Sequence, residues 1–305
     1  MAAPHKNGNG HSNGHHNGNA VKTSATITGT TLPDIQKTPD QRGIAIDEVG
    51  VSNIRFPLTF PLRDGGVFNT VAKVSMRVSL PATEKGTHMS RFMIALQEKN
   101  RELKPGSVGD ILNHLLELLH AEVAFLDMSF PIFLKRPAPV SGLEGIMDYE
   151  CSFKGVRTTA GEYEKLLEVR VNAASLCPCS KEISDFGAHN QRSLITIRVR
   201  EGKGSNIMWF EDLIEIAEQS ASCQLYPILK RPDEKFVTER AYQNPKFVED
   251  IVRDVAGRLQ TLLDENRVDY YFVSSNNYES IHNHDAYAQI QRGTMGQLLS
   301  NFAHS

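Results

Sequence analysis

The feature that most constrains the fold is an alternation of apolar and polar residues along several short segments. Every second residue from Val74 to Leu80 is apolar, and the residues between them are polar. Successive side chains of a strand point to opposite faces, so this pattern predicts a strand that is buried on one face. The same alternation returns in the second half of the chain, at residues 167–172 and 195–200.

Longer segments carry apolar residues at the spacing of a helix that is buried along one stripe. They are SVGDILNHLLELLHAE, FEDLIEIAEQSAS and NPKFVEDIVRDVAGRLQTLL. Further strands are expected at AFLDMSFPIFLKR, VDYYFVSSNN and HDAYAQIQR. The second half therefore reads strand, strand, helix, helix, strand, strand, and the first half is a looser version of the same order.

This order predicts an α+β fold with antiparallel sheets, because strands and helices come in runs rather than in strict alternation. The two halves share no sequence identity, so the repeat is one of architecture. We divide the chain into a leader (1–46), a first module (47–165) and a second module (166–305). Residues 1–20 of the leader are rich in Gly, Asn and His, a composition that is typical of disorder.

Composition excludes several classes of protein. The 305 residues are 40% hydrophobic and 23% charged, with a net charge of −3, so no basic field for nucleic acid is present. No apolar run approaches the roughly 20 residues of a membrane span. The N-terminus lacks the apolar stretch of a signal peptide. We therefore expect a cytoplasmic protein that has neither a nucleic acid nor a membrane as a partner.

The segment SLCPCSKEISDFGAHNQRS holds two of the four cysteines, Cys177 and Cys179, and then His189. A structural zinc site usually has paired C-x-x-C arms, whereas this spacing is C-x-C and no second cysteine pair exists. One thiolate and one imidazole leave positions for a carboxylate and a water, which suits a catalytic divalent metal. A partly buried cysteine without metal is the alternative. The second thiol either takes part in chemistry or only fills space.

A charged segment, ILKRPDEKFVTERAYQNPKFVEDIVRD, admits two interpretations. The simpler one is a solvated surface of salt bridges, which is the usual role of a run of charges. In the other, Lys230 and Arg231 bind an anionic substrate and Glu234 completes a metal site. Glu249 would then contact a neutral donor edge of the substrate.

Two more segments pair residue types that carry chemistry. NNYESIHNHDAYAQ places Glu279 and His282 three residues apart, and such a pair can divide acid and base work near a metal. EKGTHMSRF places His88 and Arg91 after a strand, where an arginine beside a hydroxyl can hold phosphate.

Taken together, these segments resemble GTP cyclohydrolase I of the type IB family, over roughly Asp47 to Arg292. The resemblance implies hydrolysis of GTP to 7,8-dihydroneopterin triphosphate and formate, the first step of the pterin branch of folate biosynthesis. It implies a bimodular tunnelling fold, with two antiparallel four-stranded sheets that are each backed by two helices. It also implies a homotetramer with active sites at subunit interfaces, and one divalent metal ion per site, which would be manganese, zinc or iron.

The resemblance assigns roles residue by residue. Cys177 and His189 match the metal-binding Cys and His of the family, and Glu234 is the best match for the acidic ligand, with Glu239 as a close rival. Cys179 matches a second, catalytically important thiol.

Further matches concern catalysis and substrate binding. Glu279 and His282 match the catalytic Glu and His, and Glu249 matches the glutamate that anchors the purine. A carboxylate suits that role because guanine offers two neighbouring donors. The candidates for holding the triphosphate are His88, Arg91, Lys181, Arg192, Lys230 and Arg231.

Two other functions remain open from the residues alone. A tunnelling-fold nitrile reductase acting on a deazapurine also pairs a cysteine with a purine-anchoring glutamate, but it uses NADPH and covalent attack by the thiol. A non-enzymatic protein that stores metal through its His-rich leader is the other. Oxidation of NADPH, release of formate and deletion of residues 1–20 distinguish the three.

Overall fold

A computed structural model of the chain describes residues 34–99, 107–202 and 208–302. The chain divides into two units, residues 1–35 and residues 36–305, and all strands of the described residues lie in the second unit. The expected disorder of residues 1–20 lies outside the described residues. The first strand begins at Ile46, at the predicted end of the leader.

The first half of the sheet is formed by four strands with two helices between the second and third strand. These are β1 (Ile46–Pro61), β2 (Val67–Leu80), α1 (Met89–Lys99), α2 (Ser107–Leu119), β3 (Val123–Pro137) and β4 (Glu144–Thr158). A single turn of 3-10 helix precedes them at Ile35–Lys37. The strict alternation of β2 and the apolar stripe of α2 confirm the prediction from the sequence.

The second half has the same scaffold with additional elements between its strands. These are β5 (Tyr163–Leu176), α3 (Pro178–Ile183), β6 (Asn190–Glu201), α4 (Phe210–Ser220), β7 (Cys223–Gln224), α5 (Arg231–Gln243), α6 (Val248–Asp264), β8 (Val268–Asn277), β9 (Ala286–Gly293) and α7 (Gln297–Phe302). Strands β5, β6, β8 and β9 and helices α4 and α6 lie where the sequence predicted them. Helices α1, α3, α5 and α7 and strands β1, β4 and β7 were not predicted.

All strands belong to one antiparallel sheet in the order β1-β2-β3-β4-β5-β6-β8-β9, with β7 paired to β5. The α+β fold is thus confirmed, and the two four-stranded modules are the two halves of one sheet. Strands β4 and β5 join them through pairs that run from Glu150↔Arg170 to Arg157↔Tyr163. The predicted boundary between residues 165 and 166 falls inside β5, and the division into modules stays a prediction.

The main apolar cluster runs across both halves on the face of the sheet that α1, α2, α4 and α6 cover. Phe60, Phe130 and Phe153 of the first half surround Phe210 of α4, with ring centroids 4.9–6.1 Å apart. Buried aromatic rings contribute much of the apolar area of a core. The helix layer of the second half is therefore anchored in the side chains of the first.

Strands β4 and β5 separate beyond the Glu150↔Arg170 pair. There β7 replaces β4 as the neighbour of β5, opposite Ala173 and Ala174. Helix α5 follows β7 and packs through Ala241 against Leu176, on the sheet face opposite to the one that α4 and α6 cover. The separation of strand β4 from strand β5 at this end thus leaves room for α5.

No helix among the described residues is long and apolar enough to cross a membrane. The cytoplasmic location stays a prediction.

Candidate active site

The predicted site residues of the second module gather at one end of its sheet. Strand β5 ends at Leu176, β6 begins at Asn190 and β8 ends at Asn277, all at the same end. The segments 177–189 and 278–285, which carry the two strongest motifs, therefore leave the sheet side by side. The main-chain N–H of Lys246, just before α6, donates to the carbonyl of Leu176 at 3.0 Å, so α6 also begins here.

Cys177 and His189 directly follow the last pair of the ladder between β5 and β6. Leu176 pairs with Asn190, and the N–H of Cys177 donates to the carbonyl oxygen of His189 at 3.1 Å. The N–H of His189 donates instead to Oγ of Ser180 at 3.2 Å, so the ladder itself ends at Leu176. The fold thus brings the main chains of Cys177 and His189 together at the end of the sheet. Their role as ligands stays a prediction.

The two thiols differ in their surroundings. Cys177 is the N-cap of α3, and its Sγ accepts a hydrogen bond from the N–H of Ser180 at 3.5 Å. A donor that points at sulfur complements negative charge on that atom. Cys179 is the second residue of the helix and is exposed. Because residues i and i+2 do not share a helix face, the two sulfurs are available for different tasks.

The imidazole of His189 lies in a polar pocket with the predicted catalytic glutamate. Its Nδ1 is 3.0 Å from Oε1 of Gln191, 3.4 Å from Oγ of Ser280 and 3.9 Å from Oε2 of Glu279. Gln191 also donates from Nε2 to Oε1 of Glu279 at 3.2 Å. When Nδ1 of His189 carries the proton, Nε2 presents its lone pair to a metal.

Gln191 was not identified from the sequence, although a signal was present. It stands two residues after His189, and on a strand residues i and i+2 share a face. The strand β6 therefore places its amide beside the imidazole, where it orients both His189 and Glu279.

A buried polar network fixes the strand ends below the site. Oδ1 of Asn277 accepts hydrogen bonds from the hydroxyls of Ser193 at 2.6 Å and Ser275 at 3.1 Å, and its Nδ2 donates to Oγ of Ser175 at 3.2 Å. All four side chains are buried. Because a satisfied buried network favours one arrangement, it holds β5, β6 and β8 in register under the site.

Two other predicted residues border the same end of the sheet. Glu249 is exposed in the first turn of α6, and Oγ of Ser175 donates to the carbonyl of Lys246 just before that helix at 3.1 Å. His282 is exposed in the segment between β8 and β9, with its ring stacked on that of His284 at 5.0 Å.

The cations that were proposed for a triphosphate are spread over several elements. Lys181 of α3 donates from Nζ to the carbonyl of Tyr242 at 2.6 Å and lies 4.5 Å from the centroid of its ring. Arg192 of β6 lines a cavity of about 310 Å³ together with Tyr149 and Tyr226. Lys230 and Arg231 are exposed at the start of α5.

Glu234 and Glu239 both lie exposed on α5. Tyr242 marks the part of α5 that contacts α3, because it touches Lys181. Glu234 is about 12 Å from Tyr242 along the helix axis. Glu239 lies nearer to Tyr242, and it lines a cavity of about 740 Å³ with the segment 185–188. Within the described part of the chain, no three His, Cys, Asp or Glu side chains form a group that could hold a metal ion. Within a single chain, Cys177, His189 and Glu234 therefore do not form a three-ligand group.

His88 and Arg91 lie at the opposite end of the sheet. His88 precedes α1, and Nη1 of Arg91 donates to the carbonyl of Leu118 at the end of α2 at 2.8 Å. Strand β5 separates the two ends with 14 residues, about 45 Å at roughly 3.3 Å per residue. Within one chain these residues are not brought together with Cys177, and their role stays a prediction.

The donor set at Cys177 and His189 fits a divalent metal in its chemistry. Thiolate sulfur and imidazole nitrogen are ligands of zinc and of iron or manganese when oxygen ligands complete the shell. The carboxylate of Glu279 near His189 is the kind of outer partner that orients a ligating imidazole.

Known proteins that resemble this chain share most of its length. The sequence model described as type I GTP cyclohydrolase folE2 matches residues 32–288. GTP cyclohydrolase FolE2 of Azoarcus sp. (strain BH72) is 49% identical over 261 residues, which cover 86% of this chain and 95% of that protein. GTP cyclohydrolase FolE2 of Methylobacillus flagellatus is 50% identical over 261 residues, covering 86% of this chain and 96% of that protein.

Solved structures support the fold alone. A crystal structure of a highly active mutant of BTUO, a tunnelling-fold urate oxidase, matches with a TM-score of 0.50 at 10% sequence identity. The match covers 82% of this chain and 100% of that one. The continuous antiparallel sheet, with α1, α2, α4 and α6 on one face, is thus a tunnelling fold. With the family match over most of the chain, it follows that this protein belongs to the type I GTP cyclohydrolase FolE2 family.

Proposed function

We propose that this chain, as a GTP cyclohydrolase, opens the imidazole ring of GTP at C8 and yields 7,8-dihydroneopterin triphosphate and formate. This reaction would be the first step of the pterin branch of folate biosynthesis. The observation that carries the proposal is the main-chain hydrogen bond that joins Cys177 to His189 just past the β5–β6 ladder, with Glu279 3.9 Å from the imidazole of His189.

Cys177, His189 and Glu234 would hold one divalent metal ion, manganese, zinc or iron. When bound, such an ion supplies Lewis acidity that makes water a nucleophile near neutral pH. The chain's own residues do the remaining work, which is to bind the substrate, orient it and move protons.

Proton transfer falls to Glu279, His282 and Cys179. Glu279 is 12% exposed and is held by Gln191, so it is placed to take a proton from an attacking water. Imidazole titrates near neutrality, and His282 or Cys179 can protonate the ring nitrogens of guanine, which makes C8 more electrophilic. The same groups then assist the second hydrolysis at that carbon, which releases formate.

Substrate binding divides between one carboxylate and a set of cations. The carboxylate of Glu249 offers two acceptors to the N1–H and the exocyclic amine of guanine, which gives a paired, charge-assisted contact. The triphosphate would be held by cations drawn from His88, Arg91, Lys181, Arg192, Lys230 and Arg231.

A homotetramer with active sites at subunit interfaces accounts for the spread of these residues. Large apolar side chains stand exposed around the site, with Phe186 fully exposed and Ile183 and Ile281 largely so. An exposed apolar patch beside a polar site is typical of an interaction surface. In such an assembly Glu234 of one subunit would complete the pair formed by Cys177 and His189 of another.

The reaction is tested by incubating purified protein with GTP, with and without a chelator, and oxidising the product to a fluorescent pterin. We expect pterin and formate in equal amounts, and loss of both in chelator. Cys177→Ala should lose bound metal and activity together, whereas Cys179→Ala should lose activity and keep most of the metal. Oxidation of NADPH without formate release would contradict the proposal and favour the nitrile reductase.

Sharing of the site between subunits is tested by complementation. Neither Cys177→Ala nor Glu234→Ala should be active alone, and co-expressed subunits of the two variants should regain activity because some interfaces combine the intact residues. Glu239→Ala in place of Glu234→Ala distinguishes the rival ligand. Absence of recovered activity in mixed tetramers would rule out a ligand from a neighbouring subunit.

A further inference from the structure

We propose that Asp233 is a positioning residue, which holds the first turn of α5 against the hairpin between β3 and β4. That turn carries Lys230, Arg231 and Glu234, so the inference rests on the roles proposed for them above. Asp233 itself would touch neither the metal nor GTP.

The contact uses every acceptor that the carboxylate offers. Oδ1 of Asp233 accepts hydrogen bonds from the N–H groups of Val140 and Ser141, both at 2.8 Å. Oδ2 accepts from the hydroxyl of Ser141 at 2.7 Å and from the N–H of Lys230 at 2.9 Å. The side chain is fully buried, although its neighbours along the helix are exposed. One carboxylate therefore ties the tip of a first-module hairpin to the start of a second-module helix.

The charge of Asp233 is maintained in this setting. Burial disfavours the ionised form, but the hydrogen bonds from Ser141, Lys230 and Val140 outweigh it and hold the pKa of Asp233 well below its usual range. A carboxylate that accepts several main-chain N–H bonds is strongly favoured in its charged form.

Little else holds this end of α5. The buried residues of the helix are Asp233 near its start and Ala241 near its end, and Phe236 between them is exposed. Most helices in proteins are held by an apolar stripe rather than by propensity. Because the first turn of α5 lacks such a stripe, its placement depends on the polar contact with the hairpin.

A second observation shows how closely the hairpin meets the segment that leads into α5. A Cβ added to Gly145 at the start of β4 would lie 2.5 Å from Cγ of Pro227 and 3.1 Å from Cγ1 of Ile228. Only a residue without a side chain allows this approach. The hairpin between β3 and β4 thus lies close against the segment that leads into α5, beside the contact made by Asp233.

Helix α4 offers a matched control. Its first-turn carboxylate, Glu211, is also buried and accepts the N–H of Arg63, in the turn between β1 and β2, at 2.8 Å. Here, however, the apolar residues Phe210, Leu213 and Ile214 also anchor the helix in the core. Loss of Glu211 should lower stability without moving any residue of the site.

The test compares Asp233→Asn with Glu211→Gln in the full-length protein. An asparagine offers one acceptor oxygen to the four donors, so the hairpin and the helix turn should separate. We expect Mn²⁺ binding, followed by electron paramagnetic resonance, to weaken about tenfold to a hundredfold in Asp233→Asn, as for loss of an outer partner of a ligand. The KM for GTP should rise, and kcat should recover at saturating Mn²⁺. Glu211→Gln should match the wild type in both.

A milder pair of variants covers the outcome in which Asp233→Asn does not fold. Ser141→Ala removes one donor and should weaken Mn²⁺ binding in the same direction, and Ser141→Thr should restore it. Unchanged Mn²⁺ affinity and KM in the Asp233 and Ser141 variants, or equal losses in Glu211→Gln, would overturn the inference. A wild-type protein that forms no pterin would overturn the proposed function instead, and Mn²⁺ binding would still decide on Asp233.

Discussion

The two halves of the sheet share one scaffold and differ in what connects its strands. In the first half, β1 meets β2 and β3 meets β4 through short turns, at residues 62–66 and 138–143. In the second half, the corresponding connections are the segments 177–189 and 278–285, and β7 and α5 are added before α6. The difference shows how the same strand scaffold can serve for structure in one half and for binding and catalysis in the other. The paired strands determine the fold, and the longer connections hold the candidate site residues.

The cysteines illustrate the same contrast. Cys151 of β4 is 2% exposed, and burial raises the pKa of its thiol well above the usual value, so it behaves as a small core residue. Cys177 begins the first long connection of the second half and faces the site.

The largest expected effect separates these two thiols. Cys177→Ala should abolish metal binding and lower the rate of pterin formation by roughly a thousandfold or more, because several kcal/mol of transition-state stabilisation are lost. Cys151→Ala should cost about 0.5–3 kcal/mol of stability and leave metal content unchanged. Metal analysis and the pterin assay on both variants check this. If Cys177→Ala retained its metal, the assignment of Cys177 as a metal ligand and of Cys151 as a core residue only would be contradicted.

The next effect tests whether the halves fold as one unit. Phe210→Ala removes the ring of α4 that packs among three first-half phenylalanines, at an expected cost of about 3–5 kcal/mol. Because the core is continuous, urea unfolding followed by far-UV circular dichroism should remain one transition for wild type and variant. Two separate transitions would indicate that the halves are independent modules.

A smaller effect is expected from the outer partner of the site. Gln191→Ala removes the amide that contacts both His189 and Glu279, and should lower activity about tenfold to a hundredfold. Gln289→Ala on β9 is a suitable control, since its Oε1 accepts a surface bond from the hydroxyl of Tyr287. Steady-state kinetics of the two variants check this, and equal activities would show that Gln191 does not orient the site.

The smallest expected effect is a pH dependence at the contact between the halves. The pKa of Asp233 is lowered from 3.8 by folding, so its charge contributes its full stability above pH 3.8. That contribution should diminish as the pH falls below this value, because the unfolded chain then binds more protons. Urea midpoints of wild type and Asp233→Asn should therefore differ less at pH 3 than at pH 6. A constant difference would contradict the assignment.

How far the sequence predicted the fold depended on whether a pattern stayed regular. Strands β2, β5 and β6 and helices α2, α4 and α6 were predicted because their apolar residues follow one period throughout. Strand β1 was missed because register shifts between Ile46 and Val49 and between Val51 and Ile54 interrupt its alternation. Such bulges insert extra residues and reverse which side chains face the core. Helix α5 was missed because most of its residues are charged or polar and only Asp233 and Ala241 are buried.

The same distinction holds for the site. Cys177 and His189 could be selected from the sequence because a thiol and an imidazole are uncommon together in a short polar segment, and Glu279 because it stands three residues before His282. Gln191 and Asp233 were not selected, since amides and carboxylates are common on surfaces. The role of Gln191 arises from its position in strand β6, two residues after His189. The role of Asp233 arises from the contact between helix α5 and a hairpin that is distant in the sequence.

By itself, the sequence determined the α+β class, the repeated order of elements and the residue types available for chemistry, because periodicity and side-chain chemistry are local properties. Only the tertiary structure decided that the two halves form one sheet, that Cys177 and His189 meet at the end of the β5–β6 ladder, and that α5 lies on the other face of that sheet. Those facts depend on pairing between residues far apart in the chain, and such pairing is fixed by the burial of the whole core rather than by any one segment.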